Sequence, residues 1–192
     1  MENYIDDNRW FAEIVKEYRR DNTSFHDLVI LLNSGKTFTV EIKEDEYYWY
    51  SRTSNIGLDY LSSFRFKNSD LRNEWLSKSN YWIKPEEMNS FENDIIVSKY
   101  GKLITCDADF QLYIVFKDKS VVFSKLYSNT KMKEQGFVKY LKENYNLRIN
   151  KKSDYGLEDS WDSAAYFVNP KKDSMLRELE VNNIVDFERS VR

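Results

Sequence analysis

Three charged residues near the start of the chain have types and spacing that suggest chemistry. Asp27 stands at the entry to FHDLVILL (25–32), and Glu41 and Lys43 sit two residues apart in KTFTVEIK (36–43). Only Asn33-Ser34-Gly35 separates the two runs, which is a hairpin signal. A three-residue loop with Gly35 in the left-handed conformation pairs Leu32 with Lys36. Counting back along both strands, Asp27 then faces Glu41 with Cβ atoms roughly 5 Å apart. A four-residue loop would shift the register by one and send the two carboxylates to opposite faces; the position of the glycine favours the first register. Facing carboxylates destabilise a sheet by a few tenths to about 1 kcal/mol, and a hard cation between them reverses that sign. Mg²⁺ needs only one or two carboxylates besides waters and substrate phosphate oxygens. Lys43 projects from the same face as Glu41, where an ammonium can hold an attacking water or stabilise phosphate charge. Together these are the parts of metal-assisted phosphodiester hydrolysis. In a chain that is 32% charged, a cross-strand surface ion pair is the other reading, and the residue types alone leave both open.

The elements that must position these residues follow from periodicity. NRWFAEIVKEYRR (8–20) places Trp10, Phe11, Ile14, Val15 and Tyr18 on one stripe and predicts an amphipathic helix. TSNIGLDYLSSF (53–64) alternates like a strand. Residues 66–95 read as a helical insertion, with an N-cap before DLRNEWLSK and Pro85 at a second helix start. Residues 101–127 read as strands turning at Lys117-Asp118-Lys119, 130–146 as a helix, 163–170 as a strand stopped by Pro170, and 171–182 as a last helix. This order predicts an α/β or α+β fold, with residues 1–192 forming one domain.

Composition narrows the function classes. With 29 basic against 32 acidic residues the net charge is −3, so charge alone gives no argument for nucleic acid. Cys106 is the only cysteine and His26 the only histidine, which excludes an internal disulfide and a multi-histidine or cysteine-based metal centre. Strand alternation turns His26 away from Asp27, towards a structural role. No signal peptide is evident at the N-terminus, and the longest apolar run, Leu28 to Leu32, is far short of a membrane span. The expectation is a soluble cytoplasmic protein with no membrane partner.

The stretch Asp27…Val40-Glu41-Ile42-Lys43 resembles the Asp…(Asp/Glu)-x-Lys motif of the PD-(D/E)XK nuclease superfamily. RTSNIGLDY (52–60) is similar to the Thr-Gly-Asn-hydrophobic-x-hydrophobic-Glu-Tyr segment that follows the lysine in phage and bacterial members. TCDADFQLYIVF (105–116) resembles their Thr-x-Ala-Asp-aromatic strand, and AAYFVNPKKD (164–173) their closing hydrophobic-Pro segment. His26 stands where many members carry Pro, Ser54 replaces a Gly, Asp59 replaces a Glu, and the stretch 66–95 is longer than the usual linker.

The resemblance implies a restriction-endonuclease-like mixed β-sheet flanked by helices. Asp27 and Glu41 would ligate Mg²⁺ or Mn²⁺ with the Ile42 carbonyl as third ligand, and Lys43 would position the water. A further acidic ligand would come from the first helix; Glu17 is preferred over Glu13, and a solvated glutamate is its other reading. Asn55 and Asp59 share a strand face and either approach the metal or fix the loop after Lys43. Arg52, Arg65 and Lys67 are candidate phosphate contacts, with solubility as the default explanation, and Tyr47-Tyr48-Trp49-Tyr50 could stack on bases. The expected function is a metal-dependent nuclease, a DNA endonuclease of phage or bacterial DNA processing or restriction, plausibly homodimeric. RNA as substrate stays open. The rival reading is a non-catalytic phage or plasmid protein on the same fold that binds a partner protein and modulates a host enzyme.

Overall fold

The computed structural model describes residues 9–20, 26–45, 55–117, 120–150 and 161–190. It is an α+β fold with two five-stranded sheets. The chain divides into two compact units, each assembled from separated segments: 1–56, 107–135 and 169–192 form the first, and 57–106 with 136–168 the second.

The first unit opens with helix α1 (Arg9–Ile14). The predicted helix over 8–20 is corrected here: the chain leaves helix at Val15 and becomes strand β1 (Val15–Arg20). β1 runs antiparallel to β2 (Leu28–Leu32), with Glu17 opposite Leu31 and Arg20 opposite Leu28. The Asn33 amide seals the switch by donating to the Ile14 carbonyl at 2.8 Å. The open edge of β2 offers ladder hydrogen bonds to a segment whose Val15 and Tyr18 fit an extended backbone, and tertiary pairing overrides the helical stripe.

Next in space come β3 (Thr37–Asp45), β7 (Phe110–Lys117) and β8 (Ser120–Ser128), giving the order β1-β2-β3-β7-β8. The sheet is mixed: β3 and β7 are parallel and the other neighbours antiparallel. Even-numbered residues of β2, β3 and β7 build one core face, from Ile30 and Val40 to Phe110 and Leu112. From the C-terminal segment, helix α8 (Ile184–Ser190) drives Phe187 into that face. The Phe187 ring stacks on Phe110 at 4.7 Å and meets Phe38 edge-on at 5.2 Å. Residues 110–115 of β7 are buried on both faces, which explains the nearly continuous apolar run there.

The second unit holds β4 (Ile56–Phe66), β5 (Trp82–Ile83), β6 (Ile95–Tyr100), β9 (Leu147–Asn150) and β10 (Asp162–Val168), in the order β5-β9-β10-β4-β6. The stretch read as an insertion lies within it and contributes helices α2 (Ser69–Ser79) and α3 (Met88–Asp94). The N-cap of α2 is Asn68, whose Oδ1 accepts from the Leu71 amide at 2.9 Å, and Pro85 opens a 3₁₀ turn as its fixed φ favours. Arg72 on α2 forks onto the buried Asp162 carboxylate at 3.0 and 3.3 Å, tying helix to sheet.

Three further boundaries differ from the sequence reading. Lys102–Thr105 is a short helix, α4, where strand was expected. The helix expected over 130–146 is two, α5 (Asn129–Glu134) and α6 (Phe137–Asn144), because Gly136 at φ 65° turns the chain between them. The helix expected last, over 171–182, is α7 (Ser174–Leu179), shorter because Asp173 caps its start at Leu176, and it is not the last, since α8 follows it. The Lys117–Lys119 turn falls partly outside the described residues.

Candidate functional site

The β2–β3 hairpin has the register that the glycine position predicts. Leu28 faces Val40 and Ile30 faces Phe38, the Leu32 amide donates to the Lys36 carbonyl at 2.9 Å, and Gly35 has φ 83°. A residue with a Cβ would be strained at that φ, so the sequence at the turn sets the register. With the Leu32–Lys36 pair hydrogen-bonded, alternate pairs back to Leu28–Val40 are too, and residue 26 would be the next to serve the Ile42 amide. The chain departs from that ladder at Asp27. The Asp27 amide donates to the Val40 carbonyl at 3.2 Å, and the Asp27 carboxylate itself accepts from the Ile42 amide at 2.6 Å.

That contact places Asp27 on the peptide group joining Glu41 to Ile42. The bond is short and charge-assisted, which fixes the rotamer of an otherwise exposed carboxylate. It uses Oδ2; among the described residues Oδ1 accepts no hydrogen bond. Because N–H and C=O of one strand residue point the same way, the Ile42 carbonyl lies on the edge of β3 that faces Asp27. Glu41 is 5% exposed, and the half-buried Lys43 brings Nζ to 3.6 Å from Glu41 Oε1. A carboxylate at this depth needs a compensating cation, which Lys43 supplies in the protein alone. Among the described residues no three His, Cys, Asp or Glu form a cluster. Two carboxylates and a strand-edge carbonyl, all oxygen donors, still match what Mg²⁺ or Mn²⁺ requires once waters complete the shell.

The remaining expected residues are placed as follows. Glu17 lies on β1 and not on a helix; it is exposed and two strands from Glu41, with β2 between. Glu13 is exposed on α1. Asn55 is half-buried just before β4 and belongs to the first unit, whereas Asp59 lies on β4 in the second unit and accepts from Ser62 Oγ at 3.4 Å. Arg65 and Lys67 are exposed in the second unit. Arg52 and the Tyr47–Tyr50 run lie outside the described residues. His26 turns Nδ1 towards Asp107 at 3.6 Å.

Two groups beside the trio escaped the sequence reading. Parallel pairing sets Gln111 next to Glu41 and Tyr113 next to Lys43. Gln111 is fully buried; its amide donates to Asn129 Oδ1 at 2.7 Å and its Oε1 accepts from the Tyr113 hydroxyl at 3.2 Å. Asn129 in turn donates to the Ala108 carbonyl at 2.8 Å. The only signal for this relay was a glutamine in the middle of an apolar strand. The second group is Asp109, to which the sequence assigned no role. Its Oδ2 accepts from the Thr39 amide at 2.8 Å and from Thr39 Oγ1 at 3.0 Å, and its own amide donates to Thr39 Oγ1 at 3.1 Å. This reciprocal clamp locks β3 against the start of β7, two residues before Glu41.

A separate polar cluster occurs in the second unit. The Tyr60 hydroxyl donates to Glu92, and Lys142 pairs with Glu92 at 2.8 Å and lies over the Tyr60 ring. Burial first, and the hydrogen bond to Glu92 second, push the Tyr60 hydroxyl well above the ordinary tyrosine range; burial does the same for Tyr166.

No helix among the described residues is long and apolar enough to cross a membrane. No family model, curated protein or solved structure matches the chain.

Proposed function

We propose that the protein is a divalent-metal-dependent nuclease that hydrolyses phosphodiester bonds, with DNA in phage or bacterial DNA processing or restriction as its substrate. The observation that carries this reading is the Asp27 carboxylate seated on the Glu41–Ile42 amide at 2.6 Å, with Lys43 Nζ 3.6 Å from Glu41. The ordered motifs from Asp27 to the AAYFVNP segment, which resemble those of PD-(D/E)XK nucleases, add to it.

In this reading Asp27, Glu41 and the Ile42 carbonyl would hold Mg²⁺ or Mn²⁺. The bound cation supplies Lewis acidity and a nucleophilic water at neutral pH. Lys43, 3.6 Å from Glu41, would orient the water and offset charge building on the scissile phosphate. The Asp109–Thr39 clamp holds β3 and the Gln111 relay braces its neighbour β7, so the donors are set before substrate arrives. Cutting both strands of a duplex calls for two such sites, hence a homodimer working on DNA in the cytoplasm.

The test is to incubate purified protein with plasmid, single-stranded, branched and RNA substrates in Mg²⁺, Mn²⁺ or EDTA. Metal-dependent cleavage that disappears in Lys43→Ala is the expected result. Absence of cleavage on every substrate refutes the reading and returns the chain to the non-catalytic, partner-binding alternative.

A further inference from the structure

The face of the first sheet that carries Glu41 and Lys43 is filled on one side of them and accessible on the other. Val40 and Ile42 pack into the core, so Glu41 and Lys43 project from the opposite face. Towards β7 that face holds Gln111 and Tyr113, and beyond them on β8 Tyr127, all buried. Lys125, opposite Tyr113, is taken by an ion pair with Glu180. Towards β2 and β1, Thr39 and Val29 are half-buried and Arg19 is exposed. The register fixes where Arg19 stands: it pairs with Val29, and Val29 with Thr39, two residues before Glu41. Tyr18 and Ile30 pack into the core, which turns the neighbouring Arg19 and Val29 to the Glu41 side. Arg19 is therefore about 10 Å from Glu41 across the strands and about 7 Å along them. Among the described residues its side chain makes no hydrogen bond or ion pair, not even with Glu17, two residues before it on that face.

We propose that Arg19 grips a substrate phosphate flanking the scissile one, so that the nucleic-acid backbone leaves the Asp27–Glu41 site over Val29 towards β1 and not towards β7. A backbone passing over β7 would have to displace Gln111 and Tyr113, which are buried and hydrogen-bonded to each other and to Asn129. On the β1 side only the short side chains of Val29 and Thr39 separate Arg19 from Glu41 in the register. Ladder pairing with Val29 fixes the Arg19 backbone, and the guanidinium fork presents two parallel donors to a phosphate. The proposal rests on the nuclease reading in naming the ligand, but binding is measured without cleavage.

The experiment uses the full chain in EDTA and fluorescence anisotropy of a labelled DNA duplex over a salt series. Arg19→Gln should weaken binding roughly tenfold at low salt and lower the salt slope by about 0.9, the signature of one lost phosphate contact on duplex DNA. Arg19→Lys keeps the charge and should keep the slope, while losing part of the affinity with the fork. Lys125→Gln, on the filled side, should leave the slope unchanged. Unaltered urea midpoints show that the Arg19 variants fold. No binding by the wild type, or wild-type affinity and slope in Arg19→Gln, overturns the proposal. A slope lowered by Lys125→Gln and not by Arg19→Gln overturns it in favour of a path across β7. Cleavage by Arg19→Gln at the wild-type KM, with unaltered binding, removes the Arg19 contact and leaves the nuclease. Arg19-dependent binding without cleavage in Mg²⁺ or Mn²⁺ keeps the contact and removes the hydrolysis.

Discussion

Replacing Asp109 tests whether the strand bearing Glu41 is held by the clamp to Thr39. In Asp109→Ala the Thr39 amide and hydroxyl both lose their acceptor, contacts of 2.8 and 3.0 Å in a half-buried setting. Hydrogen bonds to a charged group contribute about 1.5–3 kcal/mol each, and partial exposure argues for the lower half of that range. The expected loss is therefore about 3–4.5 kcal/mol, a large share of the 5–15 kcal/mol typical of a whole domain. Asp109→Asn keeps an oxygen able to accept from both donors and should cost only about 1 kcal/mol. Thr39→Val removes the hydroxyl but leaves the amide to Asp109, for roughly 1–2 kcal/mol. Because the two residues share the same bonds, the double variant should fall short of additivity by about 1–2 kcal/mol. Urea unfolding of the wild type and the four variants at constant pH measures each value. An Asp109→Ala variant within about 0.5 kcal/mol of wild type, or a strictly additive cycle, refutes the clamp.

Other predictions concern the framework. Phe187→Ala should destabilise by about 3–5 kcal/mol in urea unfolding, since its ring is 1% exposed and packs on Phe110 and Phe38. Arg72→Met leaves the Asp162 carboxylate, 1% exposed, without its fork, and should lower stability by about 3–5 kcal/mol; Arg72→Met with Asp162→Leu should recover part of it. Tyr60 and Tyr166 keep their protons in the folded chain above the pH at which unfolded tyrosines lose theirs, near 10, so alkali draws the equilibrium towards the unfolded state. Their stabilising contribution is complete below that pH and declines above it by about 1.4 kcal/mol per pH unit for each residue. Urea midpoints in alkali should fall less steeply in Tyr60→Phe than in wild type, and equal slopes would contradict this.

What was legible in the sequence was local. The Asn33-Ser34-Gly35 turn dictated the hairpin register because only one loop length puts glycine at the positive-φ site. Glu17 was misplaced because Val15 and Tyr18 satisfy a helical stripe and a strand equally, and the deciding factor, the free edge of β2, is not in that segment. Asp109 and Thr39 lie 70 residues apart, so nothing near either residue announces the bond. Gln111 becomes a neighbour of Glu41 only through a parallel pairing, whose register no turn specifies. Phe187 was likewise invisible as a core residue until the C-terminal helix closed on the first sheet. The division into two units from interleaved segments has the same origin, for it is set by contacts distant in sequence.

Titration of metal-free protein with Mn²⁺ in a calorimeter tests most directly whether Asp27 and Glu41 form a divalent-cation site. Saturable binding is predicted, weakened by more than about tenfold in Asp27→Ala and in Glu41→Ala, each of which removes a donor. Binding weaker than about 1 mM in the wild-type protein, or an affinity that neither substitution changes, contradicts the site and the hydrolysis built on it.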